Sequence, residues 1–236
     1  MDRYQRSNDS IVQKAGSGIQ TYMAQVYGWM TCGLLLTAFV ALYVANTPEI
    51  LDAIFSSKIV FYGLIIAQLG LVFVLSGMVH KMSGALATGL FMLYSMLTGL
   101  TLSSIFVIYT GGSIASTFVV SAGMFGALSV YGYTTKRSLS GIGSFLFMGL
   151  IGIVLASVIN IFLKSPALMW AITYIGVLIF AGLTAYDTQK LKEMGAELDV
   201  NDKENLRRFS IVGALTLYLD FINLFLMLLR ILGDRR

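Results

Sequence analysis

The chain reads as long apolar runs separated by short charged punctuation. Ala15 to Pro48 is 34 residues without a charge, Ile59 to Val79 is 21, and Met82 to Thr135 is 54. Ser138 to Leu163 gives 26 more, Ser165 to Tyr186 gives 22, and Phe209 to Leu229 gives 21 with one charge, Asp220. A bilayer core about 30 Å thick is crossed by roughly 20 apolar helical residues. Each run supplies one crossing, except that the longest holds two, divided at the turn signal Thr110-Gly111-Gly112-Ser113. The total is seven. No stretch alternates apolar and polar with period two, which argues against a β-barrel. The pattern therefore predicts an all-α integral membrane protein with seven transmembrane helices. The expected organisation is a polar tail over 1–25, a single transmembrane domain over 26–232 and a short C-terminal tail over 233–236. The first apolar run starts near Val26, is longer than the core of a secretory signal, and lacks a small-x-small cleavage site at a polar end, so it reads as an uncleaved span.

Composition agrees. Hydrophobic residues make up 57% of the chain and charged residues only 12%, where a soluble domain carries about 25% charged. That deficit cannot cover a water-facing surface, and the mean hydropathy of +0.80 names lipid as the solvent. The basic pI near 9.1 would suggest nucleic acid in a soluble chain; here it reflects Lys and Arg collected in loops, and no nucleic-acid partner is expected. One cysteine, Cys32, excludes a disulfide framework. Eleven basic residues, from Arg3, Arg6 and Lys14 through Lys81, Lys136 and Arg137 to Arg208, fall on one side of the seven spans. Two, Lys58 and Lys164, fall on the other. This bias places the N-terminus in the cytoplasm. Arg230, Arg235 and Arg236 follow the last span and run against the rule, which leaves the side of the C-terminus open.

An ionisable residue inside a span costs roughly 2.5–3.5 kcal/mol to insert and should face protein or water. Two carboxylates qualify: Asp187 in "AGLTAYDTQKL" near the inner end of the sixth span, and Asp220 in "LTLYLDFINLFLMLLR" midway along the seventh. They are equidistant from the polar loop between the two spans, so an antiparallel helical hairpin brings them to similar depth. Helical spacing puts Thr173, Gly176, Phe180, Thr184 and Asp187 on one stripe, and Gly213, Thr216, Asp220 and Asn223 on another. Small and hydroxyl residues on such stripes let backbones approach and supply hydrogen bonds, which makes Thr184, Thr216 and Asn223 the supporting polar set. Two carboxylates facing one another in a dry site cannot both ionise cheaply, so they would share a proton. Such a pair is a proton sensor, or a cation site once both protons leave. Two blander readings stand beside it: Asp220 as an interhelical hydrogen-bonding residue, and Asp187 reaching the inner interface beside Lys190.

Other polar positions read as structural. Gly63, Gly70 and Gly77 on the second span, and Gly149, Gly152 and Ala156 on the fifth, are expected to allow close helix packing. Gln68 and Asn160 are expected to make interhelical bonds, and His80 to sit at an interface. Trp29 and Trp170 read as interface anchors. In "DVNDKEN", Asn201 three residues before Glu204 resembles a capping box that starts the last helix. No catalytic motif is present. Tyr186-Asp187 matches half of an intramembrane aspartyl protease signature, but Asp220 follows Tyr218-Leu219 rather than a Gly-x-Gly run. No enzymatic activity and no resident cofactor is expected.

Three segments, "LTGLTLSSIF" in the third span, "IFAGLTAYDTQKLK" at the sixth and "ALTLYLDFINLFLMLLRIL" at the seventh, resemble the Bax-inhibitor family (transmembrane Bax inhibitor motif proteins) in its bacterial inner-membrane branch. The resemblance implies seven helices with the seventh central and the other six around it. It implies a pH-sensitive calcium leak channel of the cytoplasmic membrane, with Asp187 and Asp220 as the gating pair and as ligands of a transient calcium ion. The family's pair can be latched by a basic residue of the second span; this chain has none between Lys58 and Lys81. Arg230 lies ten residues beyond Asp220, about 15 Å along a helix. A second functional class is a non-conducting interaction protein that modulates a membrane protease or other membrane proteins, with the polar N-terminal tail as its handle.

Overall fold

The computed structural model describes residues 2–236, with side chains from Ser17 onward; the side chains of Arg3, Arg6 and Lys14 lie outside the described residues. The elements follow in order as α1 (Asp2–Ala45), α2 (Pro48–Phe55), α3 (Lys58–Gly77), a 3-10 turn (Val79–Lys81), α4 (Gly84–Leu102), α5 (Ile105–Ile108), α6 (Gly111–Thr134), α7 (Ser140–Leu163), α8 (Pro166–Glu197) and α9 (Lys203–Leu232). Among the described residues, seven stretches are long and apolar enough to cross a membrane: Ser17–Ala45, α3, Gly84–Ile108, α6, α7, α8 and α9. They correspond one to one with the seven expected crossings.

Local chemistry sets their ends. Both prolines stand at helix starts, Pro48 in α2 and Pro166 in α8, where a missing N–H costs nothing and a fixed φ fits the first turn. Ser57, Ser83 and Thr110 cap α3, α4 and α6 by accepting from the N–H groups of Val60, Leu86 and Ser113. The turn expected at Thr110 is therefore the boundary between two spans. α7 ends on Lys164 in the left-handed region (φ 50°). The Asn160 amide oxygen accepts from Ser165 N at 3.0 Å to close that turn. Asn160 is thus spent locally rather than between helices, because the chain reverses in two residues. α9 begins one residue later than the expected capping box allows. Asp202 caps it, accepting from Asn205 N at 3.0 Å, while Glu204 accepts from Gly84 N at the start of α4.

Packing divides the chain into two units. In the first, residues 1–107 and 191–216, α1 lies against α4 through Gly33 and Gly99. A Cβ on Gly99 would sit 2.8 Å from Thr37 O, and Thr37 Oγ1 donates to Ser95 O at 2.8 Å. Tyr22 is fully buried, and its hydroxyl donates to Phe209 O at 3.3 Å. Packing in α1 therefore begins ahead of Val26, inside the stretch expected to be a polar tail. Gln68 makes its interhelical contacts, to Leu97 O and Thr98 Oγ1. The glycine stripe of α3 does not pack: Gly63, Gly70 and Gly77 have no neighbour within 4 Å where a Cβ would project. They lie on a helix whose most apolar window is only 6% buried, so its surface is left for lipid.

The second unit comprises residues 108–190 and 217–236. Here the glycines are used. Gly132 of α6 meets the backbone of Ala185 on α8, Gly143 of α7 meets the Tyr186 ring, and Gly176 of α8 meets Met227 of α9. Gly149 meets Ile179, whereas Gly152 faces open space. Phe221 of α9 stands edge-on to Phe118 and Phe125 of α6 at 5.4 and 5.5 Å. The C-terminal residues return to the α5–α6 turn: Thr110 N donates to Asp234 O, Arg236 N donates to Ile108 O, and Arg235 lies over the Tyr109 ring. Among the seven spans α9 has the most buried window, 61%, against 6–44% for the others.

Candidate functional site

Asp187 and Asp220 meet. Both belong to the second unit, and their carboxyl groups are hydrogen-bonded to each other across α8 and α9. Asp220 is 5% exposed and its Oδ2 has no hydrogen-bond partner among the described residues. Asp187 is half-buried, with Lys190 one turn further along α8 acting on its charge. The Lys190 reading and the pair reading are thus compatible: one carboxyl faces both the cation and its fellow acid. A bond between two carboxyl groups needs a donor, and a carboxylate has only acceptors. The two can therefore bond in this way only while the pair holds a proton.

The supporting polar residues behave differently from the expectation. Thr184 donates to Phe180 O at 2.8 Å, Thr216 to Val212 O at 3.1 Å, and Asn223 to Leu219 O at 2.8 Å. Each bond returns to the carbonyl four residues back on its own helix, so none of the three is spent on a neighbouring helix. A threonine or asparagine can satisfy itself that way; an ionised aspartate cannot. Arg230 is placed away from the pair, donating to Thr173 Oγ1 at 3.2 Å.

What holds Asp187 in place is the chain on either side of it. Ala185 lies against Gly132, and the Tyr186 ring covers Gly143. Thr188 donates to Ser129 Oγ at 3.4 Å. Gln189 accepts from Leu139 N at 2.7 Å and donates to Arg137 O at 2.9 Å. Four of the five residues from 185 to 189 thereby fix α8 against α6, α7 and the turn between them. Gln189 was not foreseen as a site residue; the signal was a long amide two residues after an aspartate at a span end, where a turn has backbone groups to satisfy. No cluster of three or more His, Cys, Asp or Glu residues is found among the described residues. Calcium takes 6–8 oxygen ligands, more than two carboxyl groups supply, so a calcium ion at this pair would complete its shell with water or carbonyl oxygens.

The sequence matches the family model described as "Inhibitor of apoptosis-promoting Bax1" over residues 19–236. It is 70% identical to the inner membrane protein YbhL of Escherichia coli K12 across the full length of both chains. It is also 50% identical to an uncharacterized protein of Borreliella burgdorferi, covering 91% of this chain and 92% of that one. An uncharacterized membrane protein of Streptococcus pyogenes is 38% identical over 96% of this chain and 98% of its own.

Proposed function

The chain belongs to the Bax-inhibitor family, and on that premise we propose that it is a pH-sensitive cation leak channel, passing calcium, with Asp187 and Asp220 as its proton-sensing gate. The observation that carries this reading is the carboxyl–carboxyl bond in the second unit together with the unpartnered Oδ2 of Asp220. While the pair holds a proton, it ties α8 to α9. When the proton leaves, two charges face each other about 4 Å apart, a repulsion of roughly 4 kcal/mol at the effective dielectric of protein sites. Relief comes by separating the helices, admitting water or taking a cation, and each of these couples proton binding to ion passage. The inner membrane named for the Escherichia coli relative is the proposed location, with the N-terminus in the cytoplasm on the basic-residue bias.

The test is calcium flux into proteoliposomes from pH 5 to pH 8 for the parent, Asp187→Asn and Asp220→Asn. Both variants keep a side chain able to hydrogen-bond but leave one carboxyl where there were two, so no proton is shared and their flux should follow a different pH profile from the parent. Variant profiles superimposable on the parent would remove the pair from the gate. No flux in any of the three would overturn conduction and favour the interaction protein, whose partners membrane crosslinking would then identify.

A further inference from the structure

The first unit contains an open pocket of about 630 Å³ lined by Thr21, Gln25, Trp29, Val200, Lys203, Leu206 and Arg207. It lies along the first four turns of the span Ser17–Ala45 and at the start of the span Lys203–Leu232. Its cations are arranged rather than incidental. Arg207 lies over the Trp29 ring, 5.8 Å from guanidinium carbon to centroid. Its Nε donates to Thr88 Oγ1 at 3.0 Å, and its aliphatic stem fills the space a side chain on Gly84 would take. The guanidinium is therefore fixed on three sides, while Nη1 and Nη2 have no partner among the described residues. Lys203, one turn earlier on the same helix, carries an exposed ammonium group that is also unpaired among the described residues.

The nearby acids are already engaged. Glu204 accepts from Gly84 N, Asp202 caps α9 through Asn205, and Asp199 accepts from Asn201. Gln25 adds a further donor: its oxygen accepts from Ser210 Oγ at 3.2 Å, which fixes the amide and leaves Nε2 without a partner among the described residues. The pocket thus gathers an ammonium, the two terminal nitrogens of an immobilised guanidinium and an amide nitrogen, all donors. Beside them stand an indole, Leu206 and Val200. A ligand matching this lining carries several anionic oxygens at one end and hydrocarbon at the other.

We infer that this pocket binds the phosphodiester headgroup of an anionic phospholipid of the leaflet that meets the α1 and α9 starts. Guanidinium and ammonium groups take the phosphate oxygens, the Gln25 amide takes a headgroup or glycerol oxygen, and Trp29 meets the upper acyl region. Each cation near a membrane surface favours an anionic lipid about fivefold, so the two together favour it about thirtyfold.

The experiment uses the full-length Trp170→Phe protein in proteoliposomes, in which Trp29 is the only tryptophan of the original two. Quenching by bromine-labelled phosphatidylglycerol is compared with quenching by equally labelled phosphatidylcholine. Trp29 should select phosphatidylglycerol about thirtyfold, and Lys203→Gln, an exposed change that leaves packing intact, should cut that selectivity about fivefold. Lys136→Gln, an exposed cation of the second unit, should leave it unchanged. Equal quenching by both lipids, an unchanged Lys203→Gln, or an equal loss in Lys136→Gln would each overturn the assignment. Displacement of the lipid by millimolar glycerol phosphate or inorganic phosphate would also overturn it and assign the pocket to a soluble phosphate anion.

Discussion

Gly132 leaves no room for a side chain between α6 and α8. A Cβ built there would lie 2.9 Å from the carbonyl carbon and 3.0 Å from the Cα of Ala185, with the carbonyl oxygen closer still. Carbon atoms in contact sit about 3.5–4.0 Å apart, so Gly132→Ala must push α6 from α8 by roughly 0.6–1 Å. The obstacle is backbone, which no rotamer change relieves. Overpacking costs about 1–3 kcal/mol, and this site belongs at the upper end. The displacement also falls one turn from the Ser129–Thr188 bond, already 3.4 Å long, and next to the residue that precedes Tyr186-Asp187. Gly123 on the same helix has no neighbour within 4 Å. Gly123→Ala should instead gain about 0.5–1 kcal/mol, because alanine restricts the unfolded chain and favours helix. Thermal unfolding in detergent, followed by far-UV circular dichroism, reads the contrast. At about 2–4 °C per kcal/mol for a chain of this size, Gly132→Ala should lower the midpoint by roughly 6–12 °C and Gly123→Ala should raise it slightly. A Gly132→Ala midpoint within a degree of the parent, or equal losses in both variants, would refute the proposed close contact of α6 and α8.

Gln189→Leu removes both bonds to the α6–α7 turn and leaves Leu139 N–H and Arg137 C=O without their partner; the same unfolding assay should show a loss of about 2–3 kcal/mol, and a Gln189→Leu protein as stable as the parent would show those bonds to be replaceable. The Asp202 carboxyl outside the spans is held below the usual carboxylate range, first by the Asn205 backbone N–H and then by its side chain. Its folded-state pKa is the lower one, so the cap contributes above the unfolded value near 3.8 and is lost as pH falls through the depressed folded value. Amide exchange at Glu204 and Asn205, corrected for intrinsic rates, should therefore speed up only below about pH 4 in the parent, and should be fast at every pH in Asp202→Ala.

The seven spans were legible because lipid imposes one rule on every crossing: about 20 residues without charge. The aspartate pair was legible for the same reason, since a carboxyl group inside a span has to answer to something. Seven-residue spacing of glycine carried less. Gly63, Gly70 and Gly77 have no neighbour within 4 Å where a Cβ would project, whereas Gly132 and Gly143, which belong to no such glycine repeat, bear the tight contacts. Spacing places residues on a common face and does not say which face is buried. On α3 the apolar residues run all round the helix, so no polar side marks the outside. The start of α9 shows the same gap at short range. Asn201 and Glu204 have capping-box spacing, yet Asp202 supplies the capping oxygen one residue later, and Glu204 is taken by Gly84, 120 residues away in sequence.

The polar residues of the sixth and seventh spans separate into two classes by one physical criterion. Hydroxyls and amides carry a donor, and a helix always offers the carbonyl four residues back, so Thr184, Thr216 and Asn223 settle on their own helices and leave no demand on a neighbour. An ionised carboxylate has no donor and finds no free N–H in mid-helix. Asp187 and Asp220 must therefore take a proton, find a donor on another element, or draw in water or a cation. The contact of the two carboxyls is the one the first of these allows, and Oδ2 of Asp220 has no partner among the described residues. Replacing a threonine on either stripe removes a bond the helix can spare. Replacing one aspartate removes the proton-dependent contact between the two carboxyls, which is why the Asn variants, and not the Thr184→Val or Thr216→Val variants, should change the pH dependence of flux.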